Sequence, residues 1–222
     1  LALLLGSSSG GILSLLIWVL VVFVSVMVHE LGHAFAMRRY GQSSQIVLHM
    51  TGGATIPDQY AWGGGYASIA LTPNQEIIIS LAGPFSGFFL AGLTMASVAI
   101  MGGSVGMGTL FGFIPLPAMV ALPFGGSLLN SFVLNLLWVN IFWGIFNLLP
   151  VYPLDGGNVT RYFLMKADPH DGVRKSLWIS VLVGGLAALG GFFLLRSIYM
   201  AVLFAMLAFQ SYQYLQGRYS GY

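Results

Sequence analysis

The chain has 222 residues, of which 57% are apolar and only 6% are charged, and its mean hydropathy is +0.87. A soluble domain usually carries about 25% charged residues, so this composition excludes an ordinary soluble domain and indicates an integral membrane protein. The net charge of +2 is too small to argue for nucleic-acid binding, and the absence of cysteine excludes disulfides and thiolate metal sites.

The apolar runs are continuous rather than alternating, which favours membrane-spanning helices over a β-barrel. The length suits about six helices in one transmembrane core domain, residues 1–222. The first helix is expected to be partial, because Leu1–Leu5 resembles the end of a helix before the turn at Gly6–Gly11. No soluble regulatory domain is visible, and the first residues lack the basic region of a signal peptide.

The first complete predicted span, Ile12 to Tyr40, carries the run His29-Glu30-Leu31-Gly32-His33. Residues four apart lie on one face of a helix, so the two imidazoles are expected one turn apart. This is the arrangement of two zinc ligands with a glutamate beside them to activate water. The alternative is a polar pair that is satisfied by hydrogen bonds inside a helical bundle.

The next segment, Gln42 to Gln75, is too rich in glycine and proline to span a membrane as a helix. Two short strands, Gln45–Met50 and Ala54–Ile56, are predicted around Gly52-Gly53. We expect this small membrane-associated β segment to receive an added strand from another polypeptide. Its main-chain groups are then expected to matter more than its side chains.

Two further spans are predicted at Glu76–Gly102 and Leu128–Leu149. The first of them carries Ala82-Gly83-Pro84 among several small residues, which allow helices to approach closely. The apolar segment between the spans, Gly103–Ser127, is expected to be a loop or a re-entrant stretch, because it contains Pro115, Pro117 and Pro123.

Beyond Leu149 a proline-rich break, Pro150–Gly157, precedes a short amphipathic helix predicted at Asn158–Lys166. Two last spans are predicted between Val173 and Leu215, with their turn between Gly190 and Arg196. No internal repeat is visible.

A catalytic zinc site needs a third protein ligand and an open position for water. Asp155 is the strongest candidate, since it follows a span that ends on the same side of the membrane as the helix of the histidines. Irregular backbone at that depth is tolerated where it lines a cavity. The alternative for Asp155 is a turn or helix-capping aspartate. The other candidates on that side are His49, Asp58, Glu76, Asp168, His170 and Asp171.

The basic residues predict the orientation. If the spans alternate from Arg38, seven of the eight basic residues fall on one side and only Arg196 falls on the other; the seven are Arg38, Arg39, Arg161, Lys166, Arg174, Lys175 and Arg218. Positive charge concentrates on the cytoplasmic side of membrane proteins. The site is therefore expected to open towards the cytoplasm.

The run from His29 to His33, followed by Asn147-Leu148-Leu149-Pro150-Val151-Tyr152-Pro153-Leu154-Asp155-Gly156-Gly157, resembles the site-2 protease family of intramembrane zinc metalloproteases. Gly52-Gly53 and Ala82-Gly83-Pro84 also match the pattern of that family, in the right order. The resemblance runs from about Ile12 to Arg161. It implies that one zinc ion is bound by His29, His33 and Asp155, and that Glu30 is the catalytic base.

The resemblance also implies substrate contacts. Asn147 matches an asparagine that engages substrate near the metal, and Asn140, two turns earlier, is a second candidate, as are Gly52 and Gly53 in the β segment. The alternative for each asparagine is a hydrogen bond between helices. Asn158 departs from the family pattern, which often has a basic residue there, and this puts local substrate contacts in question rather than the chemistry.

We therefore predict an all-α polytopic zinc endopeptidase of a bacterial or archaeal cytoplasmic membrane. It would hydrolyse peptide bonds within or near transmembrane segments of membrane proteins in the lipid bilayer. One alternative is an inactive homologue that binds membrane segments as a chaperone or scaffold, which the intact Glu30 argues against. The other is a metal transporter, which the lack of repeats argues against. The sequence leaves open a membrane regulator or an oligomer.

Overall fold

The structure is a computed structural model that describes residues 11–49, 52–57, 70–110 and 114–217. These residues form six helices and two β-hairpins. In chain order they are α1 (Ile12–Arg39), β1 (Ser44–His49), β2 (Gly52–Pro57), α2 (Pro73–Ile100), β3 (Ser104–Leu110), β4 (Ile114–Ala121), α3 (Gly126–Asn147), α4 (Asp155–Ala167), α5 (Gly172–Phe193) and α6 (Ile198–Leu215). The partial helix predicted at Leu1–Leu5 lies outside the described residues.

Among the described helices, five are long and apolar enough to cross a membrane, namely α1, α2, α3, α5 and α6. The remaining helix, α4, is short and amphipathic, as its sequence predicts. The prediction of a mostly helical polytopic membrane protein with a small β segment is confirmed. The chain is a multi-pass membrane protein.

Local sequence signals explain where α2 begins. It starts at Pro73, three residues before the predicted start, because proline is well tolerated in the first turn of a helix. Thr72 and Gln75 form a capping box: the Thr72 backbone N–H donates to Gln75 Oε1 at 2.8 Å, and the Gln75 N–H donates back to Thr72 Oγ1 at 3.4 Å.

The expectation that Gly103–Ser127 is a loop or re-entrant stretch is wrong for most of its length. β3 and β4 pair antiparallel from Ser104↔Ala121 to Leu110↔Ile114, with a register irregularity between Gly106 and Met107. Prolines argue against a central strand but are tolerated on an edge, and both strands of a two-stranded sheet are edges. The prolines of β4 therefore led to the wrong prediction of a loop, although they are compatible with this hairpin.

The described residues divide into two compact units, one within residues 1–68 and 82–146 and the other within residues 69–81 and 147–222. In the first unit, α1 packs on α3 through Val21, Leu136 and Val139. A second cluster joins α2, α3 and β4, and consists of Ala91, Val98, Val120, Val133 and Leu137. In the second unit, α5 contacts both α4 and α6. Gly184 of α5 lies against Ala208 of α6, where small residues permit close approach.

Candidate active site

His29 and His33 lie one turn apart on α1, as their spacing predicts. Their Nε2 atoms are 3.2 Å apart, and their ring centroids are separated by 4.8 Å with an angle of 78° between the rings. His33 is only 8% exposed, and His29 is half-buried. The two ring nitrogens therefore converge on one point beside the helix.

This convergence fits a shared metal ion. Two imidazole nitrogens bound to one tetrahedral zinc at 2.0–2.1 Å lie about 3.3 Å apart. The observed 3.2 Å agrees with that separation, although an N–H···N hydrogen bond between neutral imidazoles has a similar length. Since the sequence has no cysteine, the remaining protein ligand must come from a carboxylate or another histidine.

The Ala82-Gly83-Pro84 segment of α2 makes room for the imidazoles. A Cβ atom on Gly83 would lie 2.7 Å from His29 Nε2 and closer still to His33 Nε2. The Ser86 hydroxyl of α2 lies within donating distance of two carbonyl oxygens, that of Gly83 at 2.6 Å and that of Val28 in α1 at 2.9 Å. The small residues thus let the α2 backbone approach the histidine face of α1.

Glu30 is 5% exposed, and its carboxylate lies against strand β2. The Thr55 hydroxyl donates to Glu30 Oε2 at 2.6 Å and lies 3.1 Å from the Glu30 backbone carbonyl oxygen. A Cβ on Gly53 would lie 2.8 Å from Glu30 Oε1, so this position accepts only glycine without a shift. Nothing in the local sequence connects Thr55 with Glu30, and this contact was not predicted.

The β1–β2 hairpin confirms the two predicted strands, but β2 begins at Gly52, so the glycine pair expected to separate the strands lies inside the second one. The strands pair antiparallel from Ser44↔Pro57 to His49↔Gly52. Gly52 has φ of +156°, a backbone conformation that residues with a side chain rarely adopt. The hairpin places Gly53 beside the Glu30 carboxylate, whereas a Cβ on Gly52 would have open space around it.

Asn140 lies in the first unit and is 3% exposed. Its amide nitrogen donates to Ser25 Oγ of α1 at 2.9 Å and to the Leu136 carbonyl at 2.8 Å. Both donors of the amide are therefore engaged within the helix bundle. Of the two roles left open by the sequence, this arrangement favours the hydrogen bond between helices.

Asp155 lies in the second unit as the first residue of α4, and its side chain is half-buried. The N-cap position is occupied by Leu154, so Asp155 is not the N-cap residue. A helix N-terminus favours a carboxylate in its first turn. Asn147 belongs to the same unit, where it is half-buried at the last position of α3.

The glycines after Asp155 allow the start of α4 to fold against the preceding loop. A Cβ on Gly156 would meet the Leu148 and Leu149 carbonyl groups, and one on Gly157 would meet the backbone of Val151 and Tyr152. The Gly-Gly pair is therefore a packing requirement at this bend.

Helices α5 and α6 hold the same loop. The Tyr152 backbone N–H donates to Ser180 Oγ at 3.0 Å, and the Ser211 hydroxyl donates to the Tyr152 carbonyl oxygen at 3.4 Å. Both serines are almost fully buried. The Tyr152 ring meets the Tyr214 ring edge to face at 5.6 Å. No local sequence pattern indicates that α5 and α6 contact the loop before Asp155.

The remaining carboxylates differ from Asp155 in their surroundings. Asp168 Oδ1 accepts from the backbone N–H groups of His170 and Asp171, at 3.2 and 3.1 Å, as in an ordinary polar turn. The hydrogen bond from Lys175 to Asp168 lowers the pKa of that carboxyl. Glu76 is half-buried on α2. Asp58 and the side chain of His49 lie outside the described parts of the chain.

Comparisons with known proteins place the chain among zinc metalloproteases and their relatives in sequence. Residues 17–189 match the sequence profile of peptidase family M50. Zinc metalloprotease MJ0392 of Methanocaldococcus jannaschii is 26% identical over 191 residues, which cover 82% of this chain and 46% of that protein. Rip3 of Mycobacterium tuberculosis is 33% identical over 184 residues, covering 80% of this chain and 39% of Rip3.

The fold has a counterpart among solved structures. The site-2 protease from Methanocaldococcus jannaschii aligns with a TM-score of 0.54 and 24% sequence identity, over 93% of this chain and 81% of that one. At this identity the likeness concerns the fold alone. The chain spans less than half the length of the two curated relatives described above.

Proposed function

The chain belongs to peptidase family M50, and from that membership we propose that it is an intramembrane zinc endopeptidase. Its substrates would be membrane proteins, cut within or near their transmembrane segments, and the whole chain would act as one core domain. The observation that carries the proposal is the pair of Nε2 atoms 3.2 Å apart on a membrane-spanning helix, with the buried Glu30 beside them.

We assign the metal to His29, His33 and Asp155, as one zinc ion. The histidine geometry supports the first two ligands. The sequence around Asp155, its position in the first turn of α4 and family membership support the third. When bound, a zinc ion in such a site supplies a Lewis acid for the peptide carbonyl and makes water acidic enough to attack at neutral pH.

Glu30 is the general base in this proposal. Its carboxylate would take a proton from the attacking water and pass it to the nitrogen of the departing amine, which requires a carboxylate within hydrogen-bond reach of both. Its burial keeps bulk water away from the carboxylate. An inactive scaffold would not need a carboxylate at this position, and this distinguishes the proposal from that alternative.

The substrate must unwind before it can be cut, because the carbonyl groups of a helix are engaged in its own hydrogen bonds. The β1–β2 hairpin is the proposed docking edge, since a free strand edge replaces the lost main-chain bonds. Gly52 and Gly53 would permit close backbone approach there. Asn147 remains the proposed side-chain contact to substrate, and Asn140 is a weaker candidate because its amide donors are already engaged.

The proposed orientation places the C-terminal end of α1 in the cytoplasm. The supporting observation is the distribution of basic residues, seven of which fall on that side when the spans alternate. The active site would then open towards the cytoplasm of a bacterial or archaeal cell. The relatives described above come from an archaeon and a bacterium.

The test is cleavage of candidate single-span substrates by the purified protein, with and without a zinc chelator. We expect cleavage that the chelator stops and added zinc restores. Glu30→Gln should retain zinc and lose about 100-fold or more of the rate, because general acid–base catalysis contributes that much. Full activity of Glu30→Gln, or cleavage that resists chelation, would contradict the assigned mechanism.

A further inference from the structure

We infer that Thr55 is a positioning residue for Glu30: its hydroxyl, carried on strand β2, holds the Glu30 carboxylate in the orientation that base catalysis requires. The inference rests on the proposed function, in which Glu30 is the base. It adds a residue from a different element of the fold to the catalytic machinery.

The hydrogen bond itself is the first support. Thr55 Oγ1 lies 2.6 Å from Glu30 Oε2, a length typical of an O–H donor to a carboxylate, and such charge-assisted bonds are stronger than neutral ones. The hydroxyl has one proton, so its 3.1 Å approach to the Glu30 backbone carbonyl is an alternative bond. Both acceptors belong to Glu30, so Thr55 is anchored to that residue either way.

The face of the strand is the second support. Residues two apart point to the same side of a strand, so Gly53 and Thr55 both face α1. Gly53 provides space for the carboxylate, since a Cβ there would lie 2.8 Å from Glu30 Oε1. Thr55 then supplies the donor to the other carboxylate oxygen. One strand face thus both accommodates the glutamate and fixes it.

The burial of Glu30 makes the orientation of its carboxylate depend on the Thr55 hydroxyl. Glu30 is 5% exposed, so little solvent is available to replace a lost protein donor. Without the Thr55 hydroxyl, the carboxylate would lose a fixed partner and gain rotational freedom about its side chain. Proton transfer requires a defined geometry, so the loss should appear in kcat rather than in KM.

This inference changes one expectation for the hairpin. If the β1–β2 segment acted only through its main chain, replacement of Thr55 by alanine would have little effect on activity. With Thr55 bonded to Glu30, removal of its hydroxyl should be costly even where the strand pairing is intact. The β1–β2 hairpin would then both bind the substrate and orient the catalytic base.

The experiment compares Thr55→Val, which keeps the shape but removes the donor, with Thr55→Ser, which keeps the donor. Thr94→Val is the matched control, because within the described part of the chain the Thr94 hydroxyl bonds only to the Leu90 carbonyl of its own helix, at 2.8 Å. Each variant is measured for zinc content, for kcat and KM on a single-span substrate, and for the infrared carboxylate band that Glu30→Gln removes.

We expect Thr55→Val to retain zinc, to lose about tenfold or more in kcat with little change in KM, and to shift the Glu30 infrared band. Thr55→Ser should recover most of the rate, and Thr94→Val should match the wild type. Equal kcat values for Thr55→Val and Thr55→Ser, a loss confined to KM, or a loss of zinc from Thr55→Val would overturn the inference. A wild-type protein without chelator-sensitive cleavage would instead contradict the proposed function, while the infrared band would still report on the Thr55–Glu30 bond.

Discussion

Asp155 combines two properties that suit a metal-binding carboxylate. It is half-buried, which limits competition from water, and it lies in the first turn of α4, where the helix dipole favours a negative charge. Asp168 and Asp171, in contrast, belong to a polar turn with hydrogen bonds of its own. The three aspartates therefore allow a direct comparison, within one unit, of the proposed zinc ligand with two carboxylates that are not proposed as ligands.

Replacement of these aspartates should separate them by zinc content. We expect Asp155→Ala to lower the zinc bound per purified protein markedly, because the two histidines alone would leave a three-ligand site one protein ligand short. Asp168→Ala and Asp171→Ala should leave zinc content unchanged. Metal analysis by atomic absorption measures this, and the reverse order would show that the third ligand is misassigned.

The histidine pair and the Thr55–Glu30 contact show what a sequence reveals at this scale. The pairing of His29 with His33 follows from helix spacing alone, so it was predictable once the run was placed on a helix. Thr55 is 25 residues from Glu30, and their contact depends on how β2 packs on α1. No local pattern encodes that packing, and the role of the hydroxyl became visible only in the structure.

At the scale of elements, the contact between α1 and α2 depends on the absence of side chains. Gly32 of α1 faces Ala82 and Ser86 of α2, and Gly83 of α2 faces both imidazoles. Because of these close approaches, the distance between α1 and α2 affects the position of the two imidazoles that we propose as zinc ligands. A methyl group at either glycine must move a neighbour.

This geometry predicts different results for two glycines of the same helix. Gly83→Ala should reduce zinc content strongly, because the added methyl group would overlap His33 and displace the ring. Gly92→Ala, with open space around the new Cβ, should retain zinc and leave stability equal or raised by up to about 1 kcal/mol. Zinc analysis with thermal unfolding measures both, and normal zinc content in Gly83→Ala would contradict the packing of α2 on the site.

The elements with a long and regular apolar pattern were predicted most accurately. The five spans were placed within a few residues, since long apolar runs have little alternative in a membrane. Asp155 begins α4 three residues before the predicted start, because Gly156 and Gly157 are accommodated in its first turn. The β3–β4 hairpin was missed because Pro115 and Pro117 obscure its strand pattern.

At the scale of the molecule, the exposed side chains are those of a protein in lipid. Along α5, Leu182, Leu186 and Leu189 are 62%, 68% and 57% exposed and recur at helical spacing. α5 has 22 residues and is about 33 Å long, enough to cross a hydrocarbon core of about 30 Å. Its two ends are therefore expected on opposite sides of the membrane.

Cysteine labelling tests the orientation of α5. In Lys175→Cys the thiol should react with an impermeant reagent from the cytoplasmic side only, and in Leu194→Cys from the opposite side only. Both positions are exposed, and the natural chain has no cysteine, so the background is clean. The inverted pattern would contradict the orientation, and labelling of both from one side would contradict the span itself.

The central claim is that zinc-dependent hydrolysis takes place at a peptide bond of a membrane-embedded segment. The most direct measurement is to reconstitute the protein with a single-span substrate in liposomes and to identify both product termini by mass spectrometry. The account predicts one main cut, within or beside the span of the substrate, that the wild type makes, that chelator stops and that Glu30→Gln makes about 100-fold or more slowly. Cuts confined to the soluble parts of the substrate, or the same cut at an undiminished rate with Glu30→Gln, would contradict it.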